Sequence, residues 1–550
     1  KAWQKIKRNV RSLHERIFFR PLLAAVSTLS RDEVVLSEQA AQDRLAALGY
    51  RDPRGAMRHI KALTTGASRS ADIQRHLMPV LLGWFARGVD ADAGLLGFRI
   101  VSESLGSTSW YLRMLRDSPA AAERLSQLLS SSRLMTDLLE DASASIAWLD
   151  KVADLKPLGE EALASEISSL LARHEDAAEA MRAVRYLRRR ETLRTAMGWT
   201  LGIVDIEDTC AGLAAIDECT IGAALQIALR ELQAAPEGAE PAEATEAAEA
   251  EETAGEKLLT RIAVIGMGRL GGAENGFGSD ADVMFVHEPL DGADEDAAQE
   301  QAARIVNRTL ALLKQPVKPA IRAERPLEVD ADLRPEGKQG AIVRSLDSYR
   351  SYYERWAETW EFQALTRARP IAGDEELGRA FVELIDPYRY PATFTPEQVQ
   401  QIRRMKARVE NERMPHGADR TRQLKLGRGG LSDVEWLVQL VQLRHAHAVP
   451  GLRTTSTLKA LDAAVEAGLI EAADAEILSG AWLLATKIRG GNVLRGVRQS
   501  DILPSGRADL EAIARWCGYP AGSARALEED YLRQTRNARK VYERLFFEEL

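Results

Sequence analysis

The sequence predicts a mainly α protein with an α+β domain set between two helical regions, and three observations carry that reading. Apolar residues recur at helical spacing through residues 1–233 and again from Pro396 onward. Between them, Arg261 to His287 reads RIAVIGMGRLGGAENGFGSDADVMFVH, two short apolar runs separated by a glycine-rich turn, as two buried strands would be. Ahead of those strands the composition breaks. Ala234 to Glu256 is alanine, glutamate, proline and glycine with two threonines and no basic or aromatic residue. The expected organisation is a helical scaffold over 1–233, a flexible acidic insert over 234–256, a catalytic domain over 257–395 and a helical bundle over 396–550.

Length and composition fit that division. A chain of 550 residues with 45% hydrophobic and 28% charged residues has ample core for several domains. Lys1 opens the chain in place of methionine, and residues 1–20 are amphipathic and basic without a signal-peptide core, which suggests a piece of a longer protein. No run of about 18 apolar residues predicts a membrane span. Cys210, Cys219 and Cys517 are too few and too scattered for a disulfide frame or a metal site, which fits a reducing cytoplasm. The net charge is −8, and the eight glutamates of 234–256 account for all of it. The remainder is neutral, which argues against a nucleic-acid partner that needs a broad basic surface.

In the first helical region Leu22, Leu23, Val26 and Leu29, then Leu112, Leu115, Leu125, Leu128 and Leu129, keep helical spacing, broken at Pro53, Pro79, Pro119 and Pro157. Trp84, Trp110 and Tyr111 read as core. Arg185, Arg188, Arg189 and Arg190 form a basic cluster on one helix. It reads as a solvated face pairing with Glu191 and other acids, or as a dock for an acidic partner. The acidic insert cannot bury enough apolar surface to offset its ordering entropy, so its removal should change little.

The α+β domain carries the chemistry. Ile262–Ile265 is a strand, and Gly266, Gly268, Gly271 and Gly272 let the backbone turn sharply and approach a ligand. Asp280 and Asp282 then open the second strand, Val283–Val286, two residues apart and therefore on one face. Hard carboxylate oxygens held that close suit Mg²⁺ shared with substrate phosphates. Gly266-Met-Gly268-Arg-Leu-Gly271 also fits the dinucleotide fingerprint. However, the following residues are poor helix material and the acids precede the second strand instead of ending it. A helix is expected over Ala297–Leu313 and a third strand over Pro326–Leu333, with Glu328, Asp330 and Asp332 on one face. Tyr349, Tyr353, Trp356 and Trp360 step along a helix as a core stripe, one of them a candidate for base stacking. Arg334, Lys338 and Arg344 are near enough to reach a triphosphate.

In the last region, Leu424 to Asp433 is a glycine loop feeding a helix over Val434–Leu443, with Ser432 or Asp433 as N-cap. Asp433 and Glu435 read either as neighbours of the site or as a cap with a structural salt bridge to Lys425 or Arg428. His445 and His447 are two apart on a helix and do not face one metal.

Several stretches together carry a resemblance: GMGRLGGAENGFGSDADVMF, VDADLRPEGKQG, WEFQALTRARPIAGD (360–374) and LKLGRGGLSDVEWLVQ (424–439). The glycine turn followed by Ser279-Asp280-x-Asp282 resembles the polymerase-β-type nucleotidyltransferases, and the whole set resembles the glutamine synthetase adenylyltransferase family, in its C-terminal, adenylylating unit. LGYRDP (48–53) and SESLGSTSWYLRMLRD (102–117) look like that family's central region. The resemblance implies a nucleotidyltransferase mixed sheet flanked by helical bundles. It implies that Asp280 and Asp282 hold two Mg²⁺ ions and that Asp330, with Asp332 beside it, completes the set. Gly266, Gly268, Arg269, Gly271, Gly272, Ser279 and Arg334 would bind the nucleotide's phosphates, and Lys425, Asp433 and Glu435 would stand behind the site. It further implies AMP transfer from ATP to a tyrosine of glutamine synthetase, with glutamine and a PII-type signalling protein as effectors. A PII uridylyltransferase shares the metal motif but normally carries a His-Asp hydrolase domain, and this chain has no His-Asp dipeptide. An RNA nucleotidyltransferase would show a basic surface.

Overall fold

The computed structural model describes residues 38–105, 109–234, 256–321, 324–415, 417–496 and 500–549. The basic N-terminal stretch with Leu22, Leu23, Val26 and Leu29, and the acidic insert from residue 235 to 255, lie outside the described residues.

Before the sheet run α1 Glu38–Leu48, α2 Pro53–Thr64, α3 Arg69–Ala86, α4 Ala91–Ser104, α5 Trp110–Asp117, α6 Pro119–Ser131, α7 Arg133–Asp141, α8 Glu160–Arg173, α9 Ala177–Thr200 and α10 Ile206–Gln233. Local chemistry starts many of them. Asp52, Ser68, Asp90, Asp176 and Asp205 each accept a hydrogen bond from an N–H of the first turn. Pro53 and Pro119 occupy the first turn, where a missing N–H costs nothing, while Pro79 sits inside α3 and does not break it. Trp84 and Tyr111 are buried and Trp110 is half-buried. Among the described residues α10 is the one helix long and apolar enough to cross a membrane. It is packed inside instead, against α9, α8 and the sheet.

The sheet is mixed: β1 Thr260–Gly266, then the single turn α11 Gly268–Gly271, β2 Ala281–Pro289, α12 Glu295–Lys314, β3 Val329–Asp330, β4 Val343–Ser345, α13 Leu346–Arg355, α14 Thr359–Leu365 and β5 Arg369–Gly373. β1 lies antiparallel to both β2 and β5, and β3 and β4 follow one another, parallel, along the free edge of β2. Both faces are covered. Ile262, Val264, Val283 and Phe285 pack on α9, α10 and α12, while Ala263, Ile265, Met284 and Val286 pack on α13 and α15 (Glu375–Arg389). Strand alternation therefore sorts one apolar run into two cores. Tyr349 and Tyr353 stack within the second core, but the aromatic stripe ends there. The helix stops at Arg355, Trp356 stands 74% exposed and Trp360 turns its indole N–H to Glu358.

The remaining helices are α16 Pro396–Glu412, α17 Leu431–His445, α18 Thr457–Glu466, α19 Ala472–Leu494, α20 Arg507–Trp516 and α21 Ala524–Glu543. They share one continuous hydrophobic core with α1–α7. Trp199 of α9 stacks on Trp516 at 6.4 Å and on Phe277 of the glycine loop at 5.9 Å, and Trp516 donates to Thr200 Oγ1 at 3.0 Å. In the basic cluster of α9, Arg185 is buried and Arg188, Arg189 and Arg190 are half-buried and paired rather than a solvated face. Arg185 donates to Glu324 at 3.0 Å and to the Gln315 carbonyl at 2.7 Å beyond the end of α12, and Arg188 donates to Asp217 at 2.8 Å. Arg190 pairs with Glu191 and Glu166. The cluster clamps the first helical region to the sheet domain.

Candidate nucleotide-binding site

β2 is placed by its apolar residues, and the pairing with β3 then sets Asp282 directly beside Asp330. Asp280 lies just before β2, on the loop side of the same strand end. The expected alternation of Glu328, Asp330 and Asp332 on one long strand does not hold, because β3 is only two residues long. After it the backbone turns: the Asp332 N–H donates to Asp330 Oδ1 at 2.7 Å, and Asp332 pairs with Lys338 at 3.3 Å. Arg334 pins this turn, donating to the carbonyls of Ala331 (2.8 Å), Gly340 (3.1 Å) and Lys338 (3.3 Å). Its guanidinium also lies 3.7 Å from Asp332. Arg344 pairs with Glu336 and lies on the Tyr352 ring.

Asp282 is half-buried, and burial raises its carboxyl to about 6. Lys425 opposes that rise, while Asp330, Asp280 and Glu435 add to it. Burial also lifts Asp280, again against Lys425 and with Glu328 and Asp330. The two carboxylates thus lie in a patch of excess negative charge, faced by one exposed ammonium from the glycine loop ahead of α17. Among the described residues no three acidic, His or Cys side chains converge closely enough to cage an ion by themselves. Mg²⁺ does not need a cage: it keeps waters and takes one or two carboxylates along with phosphate oxygens. The donor set fits it.

The glycines of the turn divide by what they face. Gly268 has φ 51°, and a Cβ there would overlap the Asp282 carboxylate, so this glycine faces the site. A Cβ on Gly271 would overlap the Arg367 carbonyl, and one on Gly272 would lie 2.8 Å from the Arg367 guanidinium carbon. A Cβ on Gly266 would meet Ile371 at 2.8 Å. These three let the chain's own β5 segment lie close against the turn. Ala273, with φ 55°, closes the turn in the left-handed region that non-glycine residues avoid. The Ser279 hydroxyl accepts from Gly276 N–H at 3.0 Å and so braces the loop that carries Asp280.

Arg269 is engaged by side chains and backbone of the chain itself. It donates to the Glu274 carbonyl at 2.9 Å, lies 3.6 Å from Glu435 and sits over the Trp482 ring. Glu435 also accepts from Trp482 Nε1 at 3.4 Å, which places it behind the site. Asp433 belongs elsewhere. It is fully buried, paired with Lys406 at 2.8 Å and Arg539 at 3.0 Å, and accepts from Gly429 N–H at 2.7 Å. Its salt bridge is to those two residues and not to Lys425 or Arg428, and the N-cap of α17 is Gly430. His445 ends α17 and His447 lies beyond it.

Three side chains at the site escaped the sequence reading. Glu274, Arg367 and Arg369 are charged residues without periodic context, and Arg367 and Arg369 sit in the WEFQALTRARPIAGD stretch without an assigned role. All three bond around the glycine turn. Arg489, half-buried on α19, donates to Asp501 at 2.6 Å and adds positive potential at Asp280.

A mixed sheet with a glycine turn after its first strand and carboxylates at the head of the next two is the frame of a polymerase-β-type nucleotidyltransferase domain. Residues 122–384 match the family profile described as glutamate-ammonia ligase adenylyltransferase, and residues 403–546 match that of the PII-uridylyltransferase. Curated relatives named bifunctional glutamine synthetase adenylyltransferase/adenylyl-removing enzyme include those of Leifsonia xyli, 49% identical over 99% of this chain and 52% of the relative, and Streptomyces avermitilis, 48% identical over 100% and 54%. That of Mycobacterium avium is 42% identical over 98% and 52%. The chain belongs to the glutamine synthetase adenylyltransferase family. It spans about half the length of the curated relatives it matches.

Proposed function

We propose that this chain transfers AMP from ATP to a tyrosine hydroxyl of glutamine synthetase, releasing pyrophosphate and down-regulating that enzyme in nitrogen control. The observation that carries the reading is the β2–β3 register, which brings Asp282 alongside Asp330 with Asp280 at the same strand end and Gly268 against the Asp282 carboxylate. These three aspartates would hold Mg²⁺. Bound there, Mg²⁺ would neutralise the triphosphate and favour the ionised form of the attacking hydroxyl. The chain's own part is positioning. Gly268 keeps side chains away from Asp282, Ser279 holds the Asp280 loop, and Lys425 supplies a cation opposite the carboxylates for the phosphates' charge. Of the phosphate contacts expected from sequence, the backbone of the turn and Ser279 remain in this proposal. Arg269 and Arg334 enter it as braces.

Glutamine synthetase is the proposed partner, with a PII-type protein and glutamine as effectors, in the cytoplasm and with neither nucleic acid nor membrane involved. Another nucleotidyltransferase of this type, acting on PII or RNA, is the alternative, and the match of residues 403–546 to the uridylyltransferase profile is what keeps it open. Calorimetric titration of ATP in the presence of Mg²⁺ tests the site. Binding is expected, to be lost on chelation and in Asp282→Asn; binding indifferent to Mg²⁺ and to Asp282 would refute the assignment.

A further inference from the structure

We infer that Arg367 and Arg369 are positioning residues for the glycine turn, and that through Glu218 and Thr457 they tie its placement to both helical regions. The inference rests on the nucleotidyl-transfer reading above.

The carbonyl groups of α11 point at these two guanidiniums. Arg367 Nε donates to the Gly268 carbonyl at 3.2 Å, and Arg369 donates to those of Gly271 (Nε, 3.1 Å) and Leu270 (Nη2, 3.3 Å). Each arginine then reaches out of the sheet domain in a different direction. Arg369 forms a two-pronged pair with Glu218 of α10, with Nη1 to Oε2 at 3.2 Å and Nη2 to Oε1. Arg367, 5% exposed, pairs with Glu274 and donates to the Thr455 carbonyl and to Thr457 Oγ1 at 3.0 Å. Glu274 closes the ring by accepting from the Thr457 N–H at 2.6 Å and its hydroxyl at 3.0 Å. Thr457 opens α18, so the link runs from the turn into the C-terminal helices.

Two features separate this from ordinary buried ion pairing. Gly271 and Gly272 are shaped to let Arg367 lie against the turn, so the contact is built from both sides. The carbonyl that Arg367 holds belongs to Gly268, the residue pressed against the Asp282 carboxylate. A shift of the turn therefore changes the surface presented to the nucleotide. Arg369 makes four hydrogen bonds at once, to two carbonyls and to both Glu218 oxygens, which the three donors of an ammonium cannot match.

The test uses the whole chain, with Glu218→Gln, Thr457→Val and Arg369→Lys. Mg²⁺ with ATP is titrated by calorimetry, AMP transfer gives KM and kcat, and scanning calorimetry gives Tm. Glu218→Gln and Arg369→Lys should each weaken Mg²⁺-dependent ATP binding and raise KM by about tenfold, with smaller loss of kcat and with Tm within about 3 °C of the parent. Their double variant should be no worse than the weaker single one, since both cut one link. Thr457→Val should move binding in the same direction from the other side. Arg369→Lys is the variant most at risk of not folding; Glu218→Gln and Thr457→Val then decide alone. A lowered Tm with unchanged ATP affinity, or no change in either, would overturn the inference. Asp282→Asn separates the two readings. If it abolishes binding while the other variants bind as the parent does, only this inference falls. If the parent does not bind, or Asp282→Asn binds normally, the site reading falls and takes this one with it.

Discussion

Gly268 and Gly271 stand three residues apart in one helical turn, yet a methyl group at each meets different things. At Gly268 it would strike the Asp282 carboxylate and require φ 51° of an L-residue. Gly268→Ala should therefore cost about 1–2 kcal/mol of stability for the left-handed backbone and about a hundredfold in transfer rate, the scale on which a misplacement near 1 Å acts. At Gly271 it would strike the backbone of Arg367 and Gly266, neither of which can swing aside. Gly271→Ala should destabilise the fold by about 2–3 kcal/mol, read by denaturant unfolding. His287 gives a pH signature. It is buried, donates Nε2–H to Gln299 Oε1 at 2.8 Å and meets Thr260 Oγ1 at 3.0 Å, and burial lowers its pKa. The unfolded chain thus binds the proton more readily, so the stability due to neutral His287 is full above about 6.5 and is lost as pH falls below that. Tm should drop between neutral and mildly acidic pH, and His287→Gln should flatten the drop.

At the scale of elements, the register of β2 against β3 sets which acid lies beside Asp282. Asp330 pairs beside Asp282, whereas Asp332 is turned into the Lys338 and Arg334 loop. Asp330→Asn should lose nearly all transfer and Asp332→Ala should keep most of it; the reverse would move the third carboxylate. Much of this layer was legible in the sequence. The two strands around the glycines and the helix read over 297–313, observed over 295–314, follow from apolar runs and period alone. What failed was set by tertiary bonds that a local pattern does not contain. Arg334 gathers three carbonyls and ends the third strand early. Asp433 finds Lys406 and Arg539 on helices far away in the chain. The α9 arginines looked like a solvated face because their partners, Glu324 and Asp217, come from other elements.

Over the whole molecule, the helices before and after the sheet share one core, and Phe277 plugs the glycine loop onto Trp199 within it. Residues 257–395 by themselves would expose that contact and the α10 face of the sheet, and should show no cooperative melting transition. Arg185→Met, which strands Glu324 and two carbonyls, should cost about 3 kcal/mol in denaturant unfolding of the full chain. The charge at the site is likewise assembled from distant parts, with aspartates on the sheet, Lys425 ahead of α17 and Arg489 on α19. On the proposal above, this assembly moves AMP. The most direct measurement incubates the chain with ATP labelled in its α-phosphate, Mg²⁺ and glutamine synthetase, then locates the label. Label on a glutamine synthetase tyrosine, dependent on Mg²⁺ and absent with Asp280→Asn or Asp282→Asn, is the expected result; transfer that survives both substitutions, or none by the parent chain, would contradict it.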